Sequence, residues 1–302
     1  MRIATGYAQK VALDGITDRQ AALIKSQEQL SSGKRINRPS DDPAAAAEAE
    51  KVRSRQARMD AEKRAVGYAQ QQLSNADNTI GDATSLLQNA REILLRGANS
   101  TNNNSDRFTV GNNLSAIRDQ LLSVVNRSDG TGGFVFGGQG ANSAPIAPDG
   151  TTYNAQPGTV QVGQELSSPV SLDGRANFTA SPTSTGTESI FAQLDAAIAV
   201  FKDPNATALS AAAIVQTTLG SVDRSIDRLG VTRATVGERL NAVETHLKDL
   251  ENGTIDNAMR MSALVDVDFA AAISNMAQNQ TTVEAALKSY STISKMSLFN
   301  FL

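Results

Sequence analysis

The chain has no cysteine, no tryptophan, a single histidine and an aromatic content of only 4%. The missing cysteine removes disulfides, thiolate metal sites and a cysteine nucleophile. His246, standing alone, cannot complete a zinc site of the usual kind. So few large rings argue against one aromatic-rich globular core and suit slim helix–helix seams. Apolar runs are short as well. None approaches the roughly 20 residues that span a bilayer, and Met1–Tyr7 lacks the apolar centre of a cleavable secretion signal. The 302 residues include 28 basic and 31 acidic side chains, a net charge of −3. No basic stripe with interleaved aromatics is present, so neither nucleic acid nor membrane insertion is expected. No cofactor is expected either.

Proline is scarce where long helices would need it to be. The eight prolines lie at 39, 43, 145, 148, 157, 169, 182 and 204, leaving Ala44–Ala144 and the chain beyond Pro204 free of them. Both stretches can carry uninterrupted helices. In the first, Val52, Met59, Val66, Leu73, Ile80, Leu87 and Leu94 recur every seven residues, and Ala69, Ala76, Ala83 and Ala90 follow four of them by three. A large residue at one seam position and alanine at the other lets partner helices approach closely. Asp42-Pro43 supplies an N-cap and a first-turn proline, and Gly97 before the polar turn Asn99–Asn104 should end the helix. Val110, Leu114, Ile117, Leu121 and Val124 predict a third helix. Val215, Leu219, Val222, Ile226, Leu229, Arg233, Val236, Leu240, Val243, Leu247 and Leu250 form a further ladder. Asn252-Gly253 is its expected end or kink, and Asp266 and Asp268 offer caps for a last helix.

Both ends of the chain carry ladders of the same kind. Leu13, Ile16, Gln20, Leu23, Gln27 and Leu30 step by three and four, as do Phe269, Ile273, Met276, Gln280, Val283, Leu287, Tyr290, Ser294, Ser297 and Phe301. That spacing puts one stripe of each helix against a partner. Termini fray unless tied down, so the stripes imply pairing with each other, with other copies, or both. The expected pairing is antiparallel, Leu13, Ile16, Leu23 and Leu30 meeting Ile273, Met276, Val283 and Leu287. Gln20, Gln27 and Gln280 stand where leucine would stabilise more. They either fix register at a cost or rim the seam and stay hydrated.

From Asp129 to about Gly186 glycine, proline, serine and threonine cluster. Phe134–Phe136, Thr151–Tyr153 and Thr159–Val162 read as brief strands with turns at Asp149-Gly150 and Asp173-Gly174; an irregular segment has the same composition. The features that look chemical have plainer readings. Asp41-Asp42 abuts a helix start and reads as a cap. Gly132–Gly140 lacks the Lys-Ser or Lys-Thr of a phosphate loop, and Asp266-Val267-Asp268 lacks the other ligands of a calcium loop. His246 reads as a polar residue on a helix surface. No nucleophile, base and orienter occur together, so an enzyme is not expected. The expected fold is mainly α: a long antiparallel coiled-coil or four-helix rod built from both ends of the chain, with a small β-rich insert in the middle.

The stretch Leu30-Ser31-Ser32-Gly33-Lys34-Arg35-Ile36-Asn37-Arg38-Pro39-Ser40-Asp41-Asp42-Pro43-Ala44 closely resembles the signature of the bacterial flagellin-like family. Filament flagellins usually read alanine and lysine before the paired aspartates and alanine after them. The Arg38-Pro39-Ser40-Asp41-Asp42-Pro43 form is more similar to members that join hook to filament, as are Met1-Arg2-Ile3 and Ser297–Leu302. Leu87–Ile93 followed by Ser100-Thr101-Asn102 also resembles the family. Arg35, Asn37, Asp41, Asp42 and Pro43 are the signature positions. The resemblance implies export through the flagellar type III apparatus with a cytoplasmic chaperone and an uncleaved signal, and an extracellular place in the flagellum. It implies an inner-tube domain from residues 1–42 and 256–302, disordered before assembly, a helical rod from 43–132 and 187–255, and an outer domain from 133–186. Its implied partners are further copies of the chain, hook-associated protein 1 and flagellin. A filament flagellin is the first alternative, a signalling coiled coil a remote one.

Overall fold

The structure is a computed structural model that describes residues 2–99, 102–130, 132–137, 143–154, 159–161, 167–169, 172–183 and 186–295. The chain is mainly α. Its helices are α1 (Arg2–Ser32), α2 (Pro43–Gly97), α3 (Asn104–Val125), α4 (Ile190–Lys202), α5 (Ala208–Val265) and α6 (Phe269–Lys295). Four three-residue strands, β1 (Thr159–Gln161), β2 (Ser167–Pro169), β3 (Ser181–Thr183) and β4 (Gly186–Glu188), pair as two antiparallel ribbons, β1 with β2 and β3 with β4. Two compact units result, one of Met1–Met59 with Glu251–Leu302, the other of Asp60–Leu250.

In the second unit the heptads sort themselves by size. Val66, Leu73, Ile80, Leu87 and Leu94 of α2 are buried together with Ala69, Ala76, Ala83 and Ala90. On α5, Val215, Val222, Leu229, Val236, Val243 and Leu250, seven residues apart, are buried, whereas Leu219, Ile226, Leu240 and Leu247 only flank the core. Arg233 falls on that flanking row and stays at the surface, its Nε and Nη2 donating to Asp77 at 2.8 and 3.0 Å. The guanidinium holds the Asp77 carboxyl below its ordinary range. Leu114, Ile117, Leu121 and Val125 of α3 and Phe191, Leu194, Ala197 and Phe201 of α4 complete the core. The helix α4, which the heptad reading does not set apart, begins on the Ser189 cap and ends before Pro204.

Three expectations are corrected. Strands do not form at Phe134–Phe136 or Thr151–Tyr153, where only isolated bridges to Ser128 and Ile146 occur, while β2 and β4 are additional. This region is held by side chains instead. The Tyr153 hydroxyl donates to the Phe136 carbonyl at 2.6 Å and accepts from Gly174 N–H at 2.9 Å, and Phe136 meets Phe178 edge-on at 5.3 Å. Burial pushes the Tyr153 hydroxyl up to about 12. Helix α5 neither ends nor breaks at Asn252-Gly253. A Cβ at Gly253 would lie 2.5 Å from the end of Met59, so the glycine serves a close approach rather than a stop. His246 is a half-buried polar residue on α5, its Nε2 2.9 Å from Glu62 Oε1.

Candidate assembly interface

The first unit brings both ladders together. α1 and α6 lie antiparallel, fixed at the root by Val267 N–H donating to the Gly33 carbonyl at 3.0 Å and further along by Asn279 Nδ2 donating to Ser26 Oγ at 3.1 Å. Ser26 Oγ in turn donates a hydrogen bond to the Ala22 carbonyl. Its hydroxyl thus has both partners, which a buried polar group requires. The seam is made by Ile16, Ser26, Ala272 and Val283, all buried, with Leu23, Leu30, Met276, Asn279, Ala286 and Tyr290 half-buried around them.

Only half of each predicted ladder is in that seam. Ile16, Leu23 and Leu30 face Met276, Val283 and Tyr290. Leu13 (47% exposed), Ile273 (58%) and Leu287 (46%) lie outside it, which corrects the pairing expected from the sequence. Phe269, Gln20, Gln27 and Gln280 are exposed with them. The three glutamines therefore do not sit inside the α1–α6 seam; Gln280 is turned toward Glu284 on its own helix, at 3.4 Å. Phe301 lies outside the described residues. The seam residues that the ladder misses are Ala272, Ser26, Asn279 and Ala286, small or polar positions that an apolar search passes over.

The signature residues build the elbow between α1 and α2. Asp42 caps α2 by accepting Ala45 N–H at 3.0 Å and also meets Arg35 at 3.2 Å. Pro43 opens the helix, where its missing N–H costs nothing. Asp41 accepts the backbone N–H groups of Asn37 and Arg38 and an ion pair from Lys25 at 3.0 Å. Lys25 first, then those N–H groups, hold the Asp41 carboxyl below its ordinary range. The Ala45 N–H and then Arg35 do the same for Asp42. Arg35 also reaches the Leu264 carbonyl at 2.7 Å, while its own N–H donates to the Val265 carbonyl at 2.7 Å. One arginine thus ties the cap of α2 to the end of α5. Nearby, buried Asn257 donates to the Val52 carbonyl at 2.9 Å and to Gln56 at 3.0 Å, joining α5 to α2.

This chemistry is structural: carboxylates cap helices and cations close ion pairs. Among the described residues no group of His, Cys, Asp or Glu could hold a metal, and no helix is long and apolar enough to cross a membrane.

Comparison with known proteins gives a consistent picture. The profile of the bacterial flagellin N-terminal helical region matches residues 3–141, and that of the C-terminal helical region matches residues 219–302. Flagellar hook-associated protein 3 of Escherichia coli (strain K12) is 32% identical over 313 residues, spanning 99% of each chain. A flagellin of Bacillus subtilis (strain 168) is 24% identical over 95% of this chain and 94% of its own. A crystal structure of flagellar hook-associated protein 3 from Legionella pneumophila superposes with a TM-score of 0.61 at 16% identity, covering 71% of this chain and 98% of that one. The last comparison is evidence of fold.

Proposed function

We propose that this chain, which belongs to the bacterial flagellin family and is a structural component of the flagellum rather than an enzyme, forms the junction layer between hook and filament. The observation that carries the reading is end-to-end likeness to a hook-associated protein at 32% identity, against 24% to a flagellin. In this reading residues 1–42 and 256–302 enter the inner tube of the flagellar axis, 43–132 and 187–255 form the helical part outside it, and 133–186 project outermost. The partners are neighbouring copies, hook-associated protein 1 on the hook side and flagellin on the other. Export runs through the flagellar type III apparatus with a chaperone and without signal cleavage. A cysteine-free chain suits passage in an unfolded state, since nothing can crosslink on the way.

The terminal hairpin supports this role physically. Two helices that share one seam and leave apolar side chains in water are less stable than they become with partners. Neighbours that cover those side chains add to the order the single seam supplies, so assembly stabilises the hairpin further. Deleting the gene tests the assignment. Complete hooks without filaments, with flagellin shed as monomer, are expected. Short filaments of altered composition would point to a filament flagellin instead, and normal filaments would refute both.

A further inference from the structure

Helix α5 seats one large apolar residue per heptad in its buried row: Val215, Val222, Leu229, Val236, Val243 and Leu250. The next seat in that row is Asn257, 3% exposed and the sole buried residue between positions 251 and 265. Its Nδ2 donates to the Val52 carbonyl and to Gln56, whereas among the described residues nothing donates to its buried Oδ1. Exchanging the two amide atoms would set Oδ1 against the Val52 carbonyl, so the orientation is fixed. A buried acceptor without a donor weakens a fold, and a leucine in the same seat would bury apolar surface instead. Asn257 is therefore a net loss to the stability of the α2–α5 pair.

The apolar part of that pair does not distinguish one register from the next. On α2 Val66, Leu73, Ile80, Leu87 and Leu94 repeat every seven residues, as do Ala69, Ala76, Ala83 and Ala90. A shift of seven therefore sets apolar against apolar along the row. We propose that Asn257 selects the register in which α2 and α5 pair, the use to which a lone buried asparagine in a coiled coil is suited. A shift of seven in either direction puts Ala49 or Lys63 where Gln56 stands. The first leaves the amide without a side-chain partner, and the second draws an ammonium into the seam. Met59 against Gly253 favours the same register by shape, but a methionine side chain adapts to a new gap. In the other unit three polar pairs act in the same sense. Seven residues off, Arg233 would exchange Asp77 for Gln70 or Thr84, Asp223 would exchange Arg91 for Thr84 or Ala98, and His246 would exchange Glu62 for Arg55 or Ala69. These pairs are partly exposed and each is worth little, so the buried amide decides. Register matters at the foot of the pair, where Arg35 holds the Leu264 and Val265 carbonyls. A shift of seven residues would carry them about 10 Å away. The inference holds whether the chain forms a junction layer or a filament.

The chain has no cysteine, so two introduced thiols can carry spin labels. Ala44→Cys on α2 and Asn252→Cys on α5 are both exposed and in the same unit. In the register described they stand roughly 20 Å apart along the helix axis. Electron–electron distance measurement on the full chain, refolded from urea, is expected to give a single distance while Asn257 is in place. Asn257→Leu should raise the folded-to-unfolded ratio about tenfold and add a second distance about 10 Å from the first. Asn257→Val, which matches the seats at 236 and 243, should add the same second distance and guards against a leucine too large for the site. One unshifted distance in both variants would overturn the proposal. So would a loss of stability in both, or several distances with Asn257 present.

Discussion

A valine and a leucine one turn apart on α6 should behave differently when truncated, because one lies in the α1–α6 seam and the other outside it. Val283 is 8% exposed and lies against α1; Leu287, one turn on, is 46% exposed. Val283→Ala removes two methyl groups at about 0.8 kcal/mol each and leaves a small cavity, about 2 kcal/mol in all. Leu287→Ala removes a side chain that is already half in water and inserts the best helix former, so about 0.5 kcal/mol is the expected loss in the isolated chain. Amide hydrogen exchange along α1 and α6 of the dilute full-length protein reads the opening free energy directly. Val283→Ala should speed it about 30-fold and Leu287→Ala about twofold. In assembled material the order should reverse, Leu287→Ala weakening association more than its effect on the monomer predicts. Equal acceleration by both variants in the monomer would refute the division into an inner and an outer row.

Two further outcomes concern the middle of the chain. Gly150 has φ +69°, and a Cβ there would stand 2.2 Å from Phe191 Cβ. Gly150→Ala should therefore cost about 3 kcal/mol in urea unfolding from left-handed strain and overpacking. Gly130→Ala (φ +82°, open space) should cost only the strain, about 1 kcal/mol, and equal losses would discredit the Phe191 contact. Asp149 accepts the N–H groups and hydroxyls of Thr151 and Thr152, at 2.9 to 3.1 Å, which lowers its carboxyl from 3.8 to about 2. A depressed carboxylate stabilises the fold fully above its unfolded value of 3.8, and that contribution is lost as pH falls toward 2. Carboxyl NMR should show Asp149 titrating near 2; a midpoint near 3.8 would mean the turn is open in solution.

The helices were legible because their information is local and periodic. Proline spacing, the Asp42-Pro43 start, the Gly97 stop and the heptads of α2 and α5 each act within a turn or two of themselves. The middle of the chain was not, because its order comes from partners far apart in sequence. Tyr153 binds Phe136 and Gly174, and the Asn177 amide oxygen accepts from Thr232 at 3.2 Å. No alternation of residues encodes such contacts. Gly253 misled for a related reason: glycine marks a helix end and a close approach equally well, and only the position of Met59 decides between them.

The terminal ladders lie between these cases, and the signal that resolves them was present. On α2 Val66, Leu73, Ile80 and Leu87 are buried and each is followed three places later by alanine, as Leu73 is by Ala76 and Leu87 by Ala90. The same rule sorts most of the ends. Leu23 is followed by Ser26, Leu30 by Gly33, Met276 by Asn279 and Val283 by Ala286, and all of these are buried or half-buried. Ile273, Gln280 and Leu287 are followed instead by Met276, Val283 and Tyr290, and all three are exposed. Small residues let two backbones approach, so the row they accompany closes first within the chain. On the terminal helices the row flanked by bulk is held off, and its apolar side chains stay exposed in the single chain. A heptad ladder thus gives the period of contact, while at the two ends the residue three places on tells which row closes within the chain.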